Sequence, residues 1–109
     1  MDDIKIGDFC KHFKGKDLIE KNIYQILLLN VIYSGDYSLK KINDLVIYKN
    51  IFDGKIFARE ASDIFAKLSP EKQKEYNQVY RVQKLTDEEI LEINSLEYKE
   101  KKLKYINKK

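Results

Sequence analysis

The sequence is poorest in the residues that carry the most recognisable chemistry. One cysteine and one histidine stand among 109 residues, which excludes an intramolecular disulfide framework and falls short of the three or four ligands of a Cys/His zinc centre. No metal and no cofactor is expected. Glycine occurs four times and proline once, and no glycine-rich phosphate loop, nucleophile elbow, HExxH or CxxC pair appears. Long hydrophobic runs are missing too. The longest, "ILLLNVIY", is interrupted by Asn30 and is far shorter than the ~20 residues that span a bilayer. The opening "MDDIKIGDFC" places acids where a secretory leader carries bases, and no apolar segment follows. No membrane partner is expected, and the lone thiol suits a reducing cytoplasm.

What is present is apolar bulk and lysine. Hydrophobic residues make up 43% and charged residues 36%, enough for one folded domain of ordinary size. The net charge of +3 is unevenly spread: residues 1–85 contribute +3, residues 86–96 contribute −4 and residues 97–109 contribute +4. Acids first and bases last along a helix is the order its macrodipole favours, and the basic end also suits an interaction surface. Lysine outnumbers arginine 19 to 2, the bias of an AT-rich genome. In such a chain, Arg59 and Arg81 stand out as planar multidentate donors, for a buried carboxylate or for a phosphate.

The hydrophobic pattern predicts an α+β fold. "IKIGDFCKHF" and "NIYQILLLNVIY" read as strands, the second covered on both sides because apolar residues occupy both of its alternating faces. A polar loop follows through Asn43 and is long enough to be functional. "LVIYKNIF" and "KIFARE" flank Asp53-Gly54, which predicts a two-residue type I′ hairpin turn. "EASDIFAKL" suits a short helix. Ser69-Pro70-Glu71 opens another, to about Asn77, with a cap, a proline in the first turn and an acid beside the dipole. "VYRVQKL" returns to strand composition. Thr86 with Glu89 forms a capping box that starts one long terminal helix. The expected division is therefore residues 1–85, a barrel-like unit with an inserted helix at about 69–77, and residues 86–109, a helix packed on that unit or on a partner subunit. Leu91, Tyr98 and Tyr105 recur every seven residues on that helix, as a homodimer stripe would.

Cys10 and His12 lie two apart on a strand and share a face, but no orienting third group accompanies them, and an inert buried thiol is the plainer reading. A non-enzymatic role is favoured on that ground. Basic and aromatic residues alternate elsewhere, through Tyr48, Phe57, Arg59, Tyr80 and Arg81, as needed to stack a base and neutralise a phosphate. Lys11, Lys16 and Lys49 read as solvated. In "KHFKGK", Phe13 is assigned to the core and Gly15 to a turn, with His12 and Lys14 on the opposite face, available to an anion.

Through His12-Phe13-Lys14-Gly15, Val46, Tyr48, Arg59, Gln78, Tyr80 and Arg81, residues 6–83 resemble the small bacterial and phage family known as domain of unknown function 1653. The resemblance implies a compact, strongly bent antiparallel sheet, SH3-like in its barrel, and brings no known activity. The chain departs from the family pattern at Glu60, where proline is usual, at Val82, where phenylalanine is usual, and in the added helix after Thr86. The resulting expectation is a binding module for a nucleotide or nucleic-acid backbone, with ligand contacts from His12, Lys14, Tyr48, Arg59 and Arg81. The alternative is a protein-interaction factor, such as a phage-borne inhibitor or a nucleotide-sequestering sponge acting against a host defence system.

Overall fold

In the computed structural model, which describes residues 3–34 and 44–108, strands Phe9–His12 (β1), Ile23–Val31 (β2), Leu45–Asn50 (β3), Ile56–Glu60 (β4) and Val82–Lys84 (β5) form one antiparallel sheet. Its order is β4-β3-β2-β1-β5. No ladder joins β4 to β5 among the described residues, so the sheet is open. Among the described residues four helices complete the α+β fold: α1 (Ala61–Ile64), α2 (Pro70–Tyr76), α3 (Asp87–Ile93) and α4 (Leu96–Asn107).

The register sorts the side chains. Cys10 pairs with Tyr24, Ile26 with Tyr48, Tyr48 with Phe57 and Val46 with Arg59, and directly paired residues share a face. One face therefore carries His12 together with Cys10, Ile26, Val46, Tyr48 and Val82, the last five of which pack with Ile64 of α1 into the first core cluster. The other carries Ile23, which joins Leu18, Leu85, Ile93 and Tyr98 in the second. Each fully buried aliphatic side chain here is worth roughly 1.5–3 kcal/mol. The terminal helices pack on the sheet of their own chain, where the Tyr98 hydroxyl donates to the Leu18 carbonyl at 2.8 Å.

Four expectations need correction. The terminal helix is broken: α3 stops at Asn94, and Ser95 recaps α4 by accepting the Tyr98 N–H at 3.1 Å, which turns Tyr98 into the core. The β3–β4 connection is longer than a two-residue turn, because Ile51 and Phe52 are drawn into the second cluster; Gly54 sits at φ +75° with its N–H on the Asn50 carbonyl. Only the first half of β2 is covered on both faces. Beyond register shifts after Ile26, Leu28 is 51% exposed and Asn30 takes φ +56°. Finally, Lys11 is not solvated: its ammonium lies 2.6 Å from Glu89, the capping-box residue of α3. The loop expected through Asn43 falls, over residues 35–43, outside the described residues. Among the described residues no helix is long and apolar enough to cross a membrane.

Candidate functional site

The aromatic residues of the first face form a diagonal row across four strands. His12 of β1 lies 6.2 Å from Tyr24 of β2, Tyr24 lies 4.9 Å from Tyr48 of β3, and Tyr48 stacks on Phe57 of β4 at 5.5 Å and 27°. The alternation of strand side chains together with the register puts all four on one side. Phe57, 40% exposed, is the open end of the row, whereas Tyr48 is buried at 5%. Its burial raises the Tyr48 phenol above its usual range against the opposing effect of Arg59, whose guanidinium hydrogen-bonds the hydroxyl.

Arg59 ends the row on β4, and Arg81 precedes β5 at the other edge of the sheet. In a flat five-stranded sheet the edge strands would lie about 19 Å apart. Here both guanidiniums reach one carboxylate: Asp63 of α1 lies 2.9 Å from Arg59 and 3.2 Å from Arg81. The segment after α1 supplies further links, with Arg81 N–H donating to the Ala66 carbonyl and Leu68 N–H to the Val79 carbonyl. Asp63 of α1 thus joins a side chain of β4 to one that precedes β5. Of the two partners the sequence allowed for these arginines, the carboxylate is present, although half in solvent. Each guanidinium offers five N–H donors, more than Asp63 and Tyr48 use. A depression of about 490 Å³ lies at the β4 edge, lined by Leu45, Ala58, Arg59, Glu60 and Asp63; Arg81 and the rings of the row do not line it.

At the other end of the row, the strand stops at His12. The Lys14 N–H donates to His12 Nδ1 at 3.3 Å, which leaves the proton of the neutral ring on Nε2 as a donor. The His12 ring also lies against Phe13 at 4.8 Å, so the two are not split between opposite faces as a continued strand would have required. Burial, reinforced by the positive charges of Lys14, Arg81, Arg59 and Lys21, lowers the His12 pKa to about 4. At neutral pH two guanidiniums, the exposed Lys14 and the Asp63 carboxylate stand around an uncharged imidazole, with Glu60 lining the depression beside Arg59. The balance is cationic.

The loop that follows is held from below. Gly15 adopts φ +117° with the Glu20 backbone about 3.0 Å from where a Cβ would stand. The Lys21 ammonium donates to the Phe13 carbonyl at 2.6 Å, and Lys102 donates to the carbonyls of Ile19 and Lys21 at 2.6 and 2.7 Å. Both lysines are only 4% exposed. They neutralise a row of buried carbonyls that the loop could not satisfy itself.

Cys10 shares the face with His12, but it is fully buried and its thiol is pushed up to about 12 by burial and by Asp8. It stays protonated and out of reach of solvent. Among the described residues, no three His, Cys, Asp or Glu side chains are grouped to hold a metal ion.

The structure therefore brings together His12, Tyr48, Arg59 and Arg81, with Lys14 at the margin. Phe57, already named in the alternation of basic and aromatic residues, joins them, and Tyr24 and Asp63, which were not named, complete the arrangement. Asp63 was signalled by its i,i+4 spacing from Arg59, and Tyr24 by strand alternation. Leu91, Tyr98 and Tyr105 do not form one outward stripe: Leu91 is 73% exposed on α3, Tyr98 is buried at 3% and Tyr105 is half-buried on the inner side of α4. Neither a protein-family model, nor a curated protein, nor a solved structure matches the chain.

Proposed function

We propose that the chain is a non-enzymatic binding module whose His12–Tyr24–Tyr48–Phe57 row and Arg59/Arg81 pair recognise an anionic ligand carrying flat rings, a nucleotide or a short single-stranded nucleic acid. The supporting observation is the junction of an aromatic row, open at Phe57, with two half-exposed guanidiniums that share a single carboxylate. Aromatic faces stack bases of any sequence, and guanidiniums grip phosphate in a bidentate manner. The neutral His12 contributes an N–H donor without adding a charge. The SH3-like bend belongs to the same proposal: by curling, the sheet brings its two edge arginines to one end of the row.

The test is a binding series with mononucleotides and single-stranded oligonucleotides at several salt concentrations. The parent protein is expected to bind with a salt slope that reflects about two to three neutralised phosphates. Arg59→Ala and Lys14→Ala are expected to weaken binding while remaining folded. If both folded variants bind every tested nucleotide and oligonucleotide as the parent does, the proposal is wrong.

A further inference from the structure

The two edges of the sheet are not alike. Lys67 pairs with Tyr80 along the segment that leads into β5, whereas among the described residues nothing pairs with the outer side of β4. The hydrogen-bond alternation defines what that side offers. Asn50 N–H donates to the Lys55 carbonyl at 2.9 Å and Ala61 N–H to the Asp44 carbonyl at 3.0 Å, so in this register the hydrogen-bonded pairs of β3 and β4 are Tyr48–Phe57 and Val46–Arg59. The N–H groups of Ile56, Ala58 and Glu60 and the carbonyls of Ile56 and Ala58 therefore point outward. No other group among the described residues bonds them. Ile56 is 62% exposed and Phe57 40%. Neither a proline nor a register shift interrupts the strand, and an unblunted apolar edge is a template for another strand.

We infer that the β4 edge binds the β4 edge of a second copy of the same chain, antiparallel about a two-fold axis at Ala58. Such a contact must be complementary to itself, and edge N–H and C=O groups meet only where outward-facing residues are paired. Among those registers the side chains select one. An axis at Ile56 or Glu60 leaves most of the strand unpaired, an axis at Phe57 sets Arg59 against Lys55, and an axis at Arg59 sets guanidinium against guanidinium. With the axis at Ala58, Phe57 faces Arg59 of the second copy as a cation–π pair. Ile56 faces Glu60 of the second copy, beside the depression lined by Leu45, Ala58, Arg59, Glu60 and Asp63. Lys49, which pairs with Ile56 across β3 and β4, then lies within reach of that same Glu60. Neither Lys49 nor Glu60 has an ion-pair partner in its own chain among the described residues. The contact therefore supplies each of them with an opposite charge that the monomer lacks. Main-chain bonds run both ways between the two Ala58 residues and from each Glu60 N–H to the opposite Ile56 carbonyl. The two sheets become one, with the open Phe57 ends of the aromatic rows side by side. The dimer itself does not rest on the ligand proposal.

The test is the mass of the full chain by light scattering across a concentration range, with circular dichroism to confirm folding. A strand edge buries less than the roughly 1,200 Å² of a standard interface, so the 13.0 kDa chain is expected to be half dimeric at a concentration on the order of 100 μM. Ala58→Pro removes an outward N–H that the β3–β4 ladder does not use, and this variant is expected to stay folded and monomeric at that concentration. Lys49→Glu should weaken association by about tenfold, and adding Glu60→Lys should restore it. This charge exchange keeps the test open if the proline variant fails to fold. For register, oxidised Ala58→Cys should form an inter-chain disulfide, because paired Cα atoms would lie about 5.5 Å apart. Ile56→Cys should not, because two Ile56 positions would lie roughly 14 Å apart along the strands. A dimer indifferent to the proline and charge variants overturns the inference, as does one in which Ile56→Cys crosslinks as readily as Ala58→Cys. A monomer up to about 1 mM also overturns it, and if that monomer takes up an added strand-forming peptide that Ala58→Pro refuses, the edge serves a foreign strand instead.

Discussion

Replacing Asp63 by asparagine separates a ligand site from a purely structural arginine pair. The substitution keeps the shape and an acceptor oxygen but removes the one negative charge that Arg59 and Arg81 share at 2.9 and 3.2 Å. The carboxylate side chain is 44% exposed and the guanidiniums 40% and 36%, so each ion pair contributes about 0.2–1 kcal/mol to stability. The variant is therefore expected to stay folded, with a loss of roughly 1 kcal/mol. Its effect on binding has the opposite sign. A phosphate gripped by both guanidiniums would lie about 6 Å from the carboxylate, and the repulsion between two unit charges at that distance is about 0.7–3 kcal/mol between bulk-water and protein-surface dielectrics. Removing it should tighten binding on the order of tenfold at low salt. The assay is fluorescence anisotropy of a labelled single-stranded oligonucleotide, with a urea melt of the same samples. Unchanged or weaker binding by a folded Asp63→Asn protein would show that the guanidiniums only anchor α1, and the site argument would fail.

Three further outcomes follow from the same geometry. The His12 pKa is lowered in the folded state from 6.5 to about 4, so the unfolded chain takes up the proton first as pH falls; the stability is complete above pH 6.5 and is lost as pH falls from there through about 4. The parent's urea midpoint should fall over that window more steeply than that of His12→Gln, and parallel curves would refute the assignment. Gly15→Ala combines a φ of +117° with a Cβ placed 2.9 Å from that of Glu20, and a loss of about 2–4 kcal/mol is expected in chemical denaturation; a change below about 0.5 kcal/mol would show that the loop relaxes freely. Lys102→Met strips the Ile19 and Lys21 carbonyls of their charged donor, with an expected cost of about 3 kcal/mol, and hydrogen exchange should rise first in the loop before β2. Unaltered exchange there would contradict the idea that Lys102 holds the loop.

Much of this architecture was legible because local chemistry and tertiary placement agree. Ser69-Pro70 and the Thr86–Glu89 box cap their helices as their residue types require, and the second and third strands lie where β-branched and aromatic residues gather. Legibility fails where a distant contact decides. Ser95 reads as a polar residue within one helix, yet it restarts the helix so that the Tyr98 hydroxyl can reach Leu18. Asp53-Gly54 carries a strong turn signal, but the packing of Ile51 and Phe52 lengthens the loop. Lys11 reads as solvated charge, and only the folded chain shows the carboxylate that draws it inward, as carbonyls draw Lys21 and Lys102. The candidate site followed the same rule. Scarcity marked Arg59 and Arg81 as needing a planar acceptor, but that both reach the same Asp63 depends on tertiary placement, which no local pattern encodes.

The central claim is that one face of the sheet holds an anionic, ring-bearing ligand, and it is tested most directly by titrating a short single-stranded oligonucleotide into isotope-labelled protein and mapping chemical-shift changes. The account predicts concerted shifts at His12, Lys14, Tyr24, Phe57, Arg59 and Arg81, saturating together and fading as salt is raised. An unchanged spectrum, or shifts confined to the outer side of α4, would contradict it.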